Sequence, residues 1–473
     1  MSITIYEAHD TNEDTTAEQR QQHSSPTHSS TLLVGGGLAV GPNGLGVLQR
    51  LDESLLRDVA LHGYVTSHSN FKDKNGNLLM RIEASGTGIS ATDSYTASHN
   101  IKNCVACSRH LLWRCLRSRI PDEHIVHKRV LEVIAEPQGR RNVVRFADGS
   151  DSIDADLVIG ADGVRSTVKM ALFPEHDEDP YPPQYEYVEH RILSKRTPIS
   201  TAMSLFNAVF RGLVGIGGFV PAADLKDYVE KGSMNFIFGG NGFFGYFFSS
   251  SSISSPHRDS LLHVSEPGES LAWWSTYQIK HCPDRSALDL GDVVRQLRER
   301  HSHWKDPVVQ RILGAARVQN MYPTWTLPPL PTWERDGVVL LGDAAHALPP
   351  TSGQGASQAL EDSEAFALLL AHHLAATEGK DSGERQATLN RAINTAARQY
   401  STLRRPRVTE ILQAARKMQN SKRDMGVILE YIMYILMRIV GLFPNFAAQS
   451  MRKVTEYNVA QEVSRLLAAE SQA

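Results

Sequence analysis

Residues 337–355 constrain the fold more than any other stretch of the chain. They read Gly337-Val-Val-Leu-Leu-Gly342-Asp343-Ala-Ala-His346-Ala-Leu-Pro349-Pro350-Thr-Ser-Gly353-Gln354-Gly355. The apolar run at 338–341 specifies a strand covered on both faces, the pattern of a central strand in a parallel sheet. Gly342-Asp343 then falls at the carboxyl end of that strand, where open α/β sheets bind ligands. A carboxylate there accepts hydrogen bonds from a polyol chain. The small residues after the Pro-Pro turn let the backbone approach a flat ligand where a helix begins. A purely structural strand-turn-helix explains the Val and Leu run, but not an Asp among so many small residues.

A second segment repeats this logic. Asp156-Leu-Val-Ile-Gly160-Ala161-Asp162-Gly163-Val164-Arg165-Ser166 is again a buried-strand pattern, then an acidic glycine turn, then a helix start. An Asp-Gly turn alone is a common strand terminator. Paired with Gly342-Asp343 it becomes far more specific.

Bulk properties exclude several classes. A chain of 473 residues is too long for one simple core and implies two or three domains. Its net charge of −3 gives no global electrostatic footprint for nucleic acid. Four cysteines do not make a disulfide scaffold in so long a chain, which suits a reducing, cytoplasmic compartment. Cys104 and Cys107 form a CxxC, but no second pair follows, so the motif reads as structural and no metal site is expected. The N-terminal residues lack the basic and apolar regions of a signal peptide. Residues 426–443 are largely apolar, with Glu430 and Arg438 as the only charges. Two central charges disfavour a membrane span and favour a buried or interfacial helix, with peripheral membrane contact.

Periodicity organises the rest. Residues 3–6 alternate like a strand that ends at Glu7, and a polar run at 10–30 reads as a tether. Residues 31–34 lead into Gly35-Gly36-Gly37-Leu-Ala-Val-Gly41-Pro42-Asn43-Gly44 and a helix-like segment reaching Leu51. Short strands and turns follow over 64–106, then a helix over 109–120 with Leu111, Leu112, Cys115 and Leu116 on one side. Strands are expected at 143–146 and 157–160. Residues 181–322 are rich in Gly, Phe and Ser and predict an antiparallel sheet, with strands at 235–238 and 246–248 and a loose serine-rich tip at 249–255. A long helix starts near Gly355, and the C-terminal third is mostly helical.

Together these segments resemble the FAD-dependent monooxygenases of the para-hydroxybenzoate and salicylate hydroxylase type, which include kynurenine monooxygenase-like and fungal secondary-metabolite enzymes. The resemblance covers almost the whole chain. It implies an α/β fold (α+β overall): a Rossmann-like FAD-binding domain, an inserted antiparallel β-sheet substrate domain and a helical C-terminus. The expected divisions are 1–180 and 323–400 for the FAD-binding domain, 181–322 for the substrate domain and 401–473 for the helical region.

The resemblance also assigns residues. It places Gly342 and Asp343 on the ribityl chain of FAD, with Pro349, Gly353, Gly355 and Ala356 cradling the flavin. Asp162 and Gly163 serve FAD and NAD(P)H. Arg109, in Ser108-Arg109-His-Leu-Leu112, contacts the ribityl or phosphate groups, a task suited to a guanidinium fork. Gly36 and Gly37, with Pro42, Asn43 and Gly44, pass near the isoalloxazine ring. Glu7 bonds the adenosine ribose. Thr324-Trp-Thr-Leu-Pro and Arg404-Arg-Pro-Arg407 match typical flanks.

The implied chemistry uses NADPH or NADH, O2 and a small organic substrate, aromatic or of polyketide or terpenoid type. A C4a-hydroperoxyflavin hydroxylates or epoxidises that substrate. No dedicated catalytic base is evident, and His346 reads as a structural member of its motif. The substrate is expected near 215–221 and 236–246, whose aromatic residues read equally well as plain core. Related flavoproteins perform Baeyer-Villiger oxidation or dehydrogenation, which stand as alternatives.

One family element is missing. A GxGxxG turn is expected about 20 residues before Glu7. The glycines at 35–37 and 41 have the wrong spacing and are followed by Pro42. Gly240-Asn-Gly242-Phe-Phe-Gly245 fits literally but leads into strand-forming residues, so it reads as a hairpin. The FAD-binding domain is therefore expected to be incomplete at its N-terminus. Two readings stand open: an incomplete or mis-spliced gene, and a natural variant with weakened flavin binding that acts as a pseudoenzyme. The sequence does not fix the oligomeric state.

Overall fold

The computed structural model describes residues 2–8, 36–84, 101–136, 141–185, 212–279, 288–318, 321–375, 382–419 and 424–472. The expected tether at 10–30 lies outside the described residues.

The apolar run at 338–341 forms β20 (Val338–Leu340), in which every residue is buried. β11 (Val158–Gly160) runs parallel to it, with Val158 opposite Val338 and Gly160 opposite Leu340. β19 (Glu334–Arg335) completes this three-stranded sheet as an antiparallel neighbour of β20. A second parallel pair, β1 (Ile5–Glu7) and β7 (Ile125–His127), stands as its own sheet. β11 departs from its expected complete burial: Ile159 is 45% exposed. The physical reason is an open edge, since β11 pairs only with β20 among the described residues.

The large sheet has seven strands. Their order is β17 (Tyr322–Pro323), β13 (Gly212–Pro221), β16 (Ser270–Ile279), β15 (Gly242–Phe248), β14 (Ser233–Gly239), β4 (His68–Asp73) and β5 (Leu78–Glu83). Two expectations are corrected here. The sheet is mixed rather than purely antiparallel, because β14 and β4 pair in parallel from Ser233 and His68 onward. It also reaches outside 181–322, because the 68–83 hairpin supplies an edge. Gly240 and Asn241 turn the β14–β15 hairpin, with Gly239 opposite Gly242, so this glycine-rich motif is a hairpin. The serine-rich stretch after β15 is partly built in: Ser249 and Ser251 are buried, and Ser251 bridges to Pro267.

Three smaller sheets complete the strands. β2 (Gly37–Val40), β6 (Cys104–Ser108) and β3 (Tyr64–Thr66) are antiparallel, with β6 central. β8 (Val130–Ile134), β9 (Asn142–Phe146) and β10 (Ile153–Ala155) form a meander. β12 (Gln184–Tyr185) pairs with β18 (Trp325–Thr326). On β6 the thiols of Cys104 and Cys107 are pushed up by burial to about 11 and 12, which suppresses thiolate chemistry.

The helices begin where the sequence supplies caps. α1 (Pro42–Leu51) starts with Pro at its first turn, and the Asp52 side chain accepts from Ser54 N to start α2 (Glu53–His62). α3 (Arg109–Arg117) starts where Ser108 Oγ accepts from Leu111 N at 3.0 Å, burying Leu111, Leu112 and Cys115 as their spacing predicts. Asp289 and Asp306 cap α4 (Leu290–His301) and α5 (Pro307–Ala315). The C-terminal part comprises α6 (Asp343–His346), α7 (Gly355–Ala375), α8 (Ser382–Gln419), α9 (Val427–Gly441), α10 (Pro444–Thr455) and α11 (Val459–Glu470). α8 crosses the boundary expected at 400 without a break.

Three main cores result. One packs β20 against α7, α8 and α11, through residues such as Val339, Phe366, Tyr400 and Val463. A second lies between the seven-stranded sheet and α4 and α5, around Trp273, Leu297 and Ile312. The third joins α1, α2 and α3 to β6.

Candidate functional site

The turn after β20 is possible only with glycine. Gly342 sits at φ +59°, ψ −138°, and a Cβ there would approach Ala359 Cβ to 3.2 Å. That turn delivers Asp343 to the start of α6 with its side chain open to solvent. Burial around its carboxyl pushes its pKa up, while the neighbouring His346 and Arg109 pull it back. Arg109 therefore stands within electrostatic reach of Asp343.

The same place gathers the other glycine segments. Gly37 pairs with Ser108, so Arg109 follows directly from the β2–β6 ladder. Past β2, Gly41 N donates to Ser357 Oγ at 3.3 Å, and Asn43 Nδ2 donates to Gln354 Oε1 at 3.0 Å. These bonds seat α1 on the first turn of α7, which begins at Gly355. Gly353 is left-handed at φ +60°. A Cβ on Gly36, Gly353 or Gly355 would meet nothing within 4 Å, so the three line open space. Asn43 Oδ1 is buried without a partner among the described residues. Gly36 and Gly37 thus enter, and Arg109 leaves, the β2–β6 ladder, and the Gly41–Ser357 and Asn43–Gln354 bonds set the end of β2 beside the helix start that carries Gly353, Gly355 and Ala356, with Pro349 ahead of the turn at Pro350–Ser352.

Asp162 and Gly163 lie one turn beyond β11, near Gly342 through the pairing of β11 with β20. Gly163 is at φ +81° and faces open space. The Asp162 carboxylate is engaged locally: it accepts from Ser166 Oγ at 2.5 Å, Thr167 N at 2.7 Å and Val168 N at 3.2 Å. In this geometry it caps the turn at 166–168. Glu7 ends β1, in a sheet separate from that of Asp343.

Behind Asp343 lies a buried polar cluster that the motifs did not reveal. Asp362 Oδ2 accepts from Gly342 N at 3.0 Å and from His346 Nε2 at 2.5 Å. Its Oδ1 accepts from Arg404 Nε at 2.9 Å. Arg404 also donates to Glu361 Oε2 at 2.5 Å and Gln358 Oε1 at 2.6 Å, and Arg407 forks onto Glu361 at 2.7 and 2.8 Å. Arg404, Glu361 and Asp362 have no exposed surface. Burial pushes the Asp362 carboxyl up, but the charges and hydrogen bonds of His346 and Arg404 prevail and hold it below the usual range. Tyr400 OH closes the cluster by donating to Leu340 O at 3.0 Å. His346 is thus a positioning residue for the Gly342 turn. The available signal was Glu361-Asp362 inside the apolar periodicity of Leu360, Ala365, Phe366 and Leu369, with Arg404 and Arg407 one turn apart in α8.

The large sheet approaches this region with one face. A Cβ on Gly37 would fall 2.6 Å from Ala272 Cβ and 2.7 Å from Phe247 Cζ, so β2 lies directly on that face. Phe219, Met234 and Trp274 are partly buried beside Phe247 and Ala272. Alternate residues point the other way: Phe244 stacks on Trp273 at 5.6 Å within the core under α4 and α5. Within 236–246 both faces pack as core: Phe236, Phe238 and Phe243 against Leu79 and Tyr434, and Phe244 and Tyr246 in the core that includes α4 and α5.

Comparison with known proteins shows what the chain is similar to. The family described as FAD binding domain matches residues 323–415. The chain is 26% identical over 339 residues to 6-hydroxynicotinate 3-monooxygenase of Pseudomonas fluorescens, covering 71% of this chain and 73% of that one. It is 28% identical over 400 residues to 3-amino-4-hydroxybenzoate 2-monooxygenase of Streptomyces cremeus, covering 82% and 78%. Among solved structures, a salicylate hydroxylase in complex with its substrate superposes with a TM-score of 0.62 at 17% identity, covering 91% and 90%.

Proposed function

Because the chain belongs among the FAD-dependent monooxygenases, we propose that it inserts one oxygen atom into a ring-containing, largely apolar organic molecule held in the open space that Gly36, Gly353 and Gly355 face. The balanced reaction consumes the substrate, O2, NAD(P)H and a proton, and yields the oxygenated product, NAD(P)+ and water. FAD, when bound, accepts the hydride from NAD(P)H and activates O2.

The observation that carries this reading is the convergence of Asp343, Arg109 and three glycines facing open space on one region beside an aromatic sheet face. These residues fit FAD. Asp343 would accept from the ribityl hydroxyls, and Arg109 would pair with ribityl or phosphate oxygens. Gly36, Gly353, Gly355 and Ala356 would leave room for the ring system, at the N-terminus of α7 whose dipole favours negative charge. Phe219, Met234, Phe247 and Trp274 would exclude water from the substrate side. The Asp362–Arg404 cluster would hold Asp343 in place.

Reaction under 18O2 tests this reading. One labelled oxygen in the product, with NAD(P)H oxidised in equal amount, supports it. Oxidised product without label would assign dehydrogenation instead. The regiochemistry follows from the product's structure.

A second reading has its own observation. The two parallel strand pairs, β1–β7 and β11–β20, are not joined among the described residues, and Asp162 serves its own turn. A chain with weak flavin retention would act as a non-catalytic binder of the same apolar molecules. Flavin content separates the two.

A further inference from the structure

Exposed large apolar side chains concentrate on one helix. On α9, Ile428 is 78% exposed, Leu429 60%, Ile435 57% and Leu436 57%, and the stripe continues into Leu442 at 75% and Phe443 at 61%. An exposed patch of this kind marks a surface that meets a partner or a membrane.

The helix is not loosely attached. On its protected side Tyr434 OH lies within hydrogen-bond reach of Phe238 O at 2.8 Å and Glu430 Oε1 at 2.6 Å. Glu430 pairs with Lys74 at 2.7 Å. Met433 and Met437 pack against the cluster of Leu79, Phe238 and Phe243. Both ends are held as well. Met425 N donates to Gly240 O at 2.6 Å, and Gly441 lies so close to β5 that a Cβ would stand 3.0 Å from Leu79 O. The apolar face is therefore presented by a rigid element held flat on the protein.

Its length decides how it meets lipid. A helix of 15 residues is about 22 Å long, shorter than the roughly 30 Å hydrocarbon core. With both ends held, it cannot stand along the bilayer normal, but it can lie in the interface plane.

Charge decides which partner fits. Arg416, Lys417, Lys422 and Arg423 precede the helix in sequence, and Arg452 and Lys453, which pair with Glu456 and Glu410, follow it. Over the same span the acids are Asp424, which pairs with Arg300, and the buried Glu430. Arg438 is exposed on α9 and has no ion-pair partner among the described residues. Its long stem can lie along the apolar face with the guanidinium at headgroup level. Two copies paired through this face would bring basic surroundings together, whereas anionic lipid neutralises them. We propose that α9 is an in-plane anchor that docks the protein on an anionic lipid bilayer. This inference is independent of the oxygenase reading.

Co-sedimentation of the full chain with phosphatidylcholine vesicles, with and without phosphatidylserine, tests it. The chain is expected to bind the anionic vesicles, less so at raised salt, and to bind neutral ones weakly. Replacing the exposed side chains in an Ile428→Ser, Ile435→Ser, Leu436→Ser variant should lower binding roughly tenfold or more. Its melting temperature should match the parent, because these side chains are already in water. A parent chain that stays in the supernatant with both vesicle types overturns the proposal, as does a variant that binds equally well. A lipid-free dimer that the variant converts to monomer would assign the face to a second copy of the chain.

Discussion

Arg404 has no exposed surface and is held by Asp362, Glu361 and Gln358. Substituting Met for it would remove the charge that the buried Asp362 and Glu361 share, leaving them only His346 and Arg407, a loss of about 3 kcal/mol. Thermal denaturation of Arg404→Met should show this, and a change under about 1 kcal/mol would mean that the cluster is hydrated. Asp343→Ala addresses the ligand side. FAD affinity should fall roughly tenfold or more, as for losing a charged hydrogen bond, while the exposed position leaves the melting temperature unchanged. His301 gives a pH dependence. Its Nδ1 donates to Leu297 O at 2.9 Å inside the core, and burial pushes its pKa down to about 4. The unfolded chain therefore binds the extra proton first as pH falls. This residue's contribution, on the order of 3 kcal/mol, is complete above the ordinary histidine value and is lost as pH falls towards 4. A melting temperature equally flat for the parent and His301→Gln across that window would contradict the assignment. Asp343 was legible in sequence because strand and glycine flank it. Asp362 was not, because its partners Gly342, His346 and Arg404 are distant in sequence and a helical carboxylate ordinarily reads as a solvated face.

At the scale of elements, the two acidic glycine turns could be placed because each follows a short apolar run. The pairing of β11 with β20 follows from the same pattern. The parallel junction of β4 with β14 was not legible, since nothing near residues 68–73 marks which sheet they join. β2 sits on the large sheet only because Gly37 lacks a side chain. Gly37→Val would drive a side chain into Ala272 and Phe247, costing roughly 1–3 kcal/mol by overpacking and weakening flavin retention with it. Unchanged stability would show that β2 moves freely. The open edges of β1 and β11 carry a further expectation. Ile5 and Ile159 are 37% and 45% exposed, and neither β1 nor β11 has a second partner strand among the described residues, so fusing a strand, glycine turn and helix to the chain tests whether these edges accept one. That fusion should raise FAD affinity, because a helix N-terminus binds pyrophosphate. An unchanged affinity would show that the edges do not accept a strand.

For the whole molecule, β2 ties the segment before Arg109 to the large sheet at Ala272 and Phe247. The helical C-terminus completes the core around β20 through Val459 and Val463 and also presents α9 outward. This division of labour was not visible in the sequence, where 426–443 read as buried or interfacial without distinction. The central claim is that this arrangement retains FAD and passes it electrons from NAD(P)H. Visible absorption of the purified chain during FAD titration, followed by NADPH under air, tests it most directly. The account predicts stoichiometric flavin bands that bleach on NADPH addition and return as O2 reoxidises the flavin. A folded chain that retains no flavin at saturating FAD would contradict it.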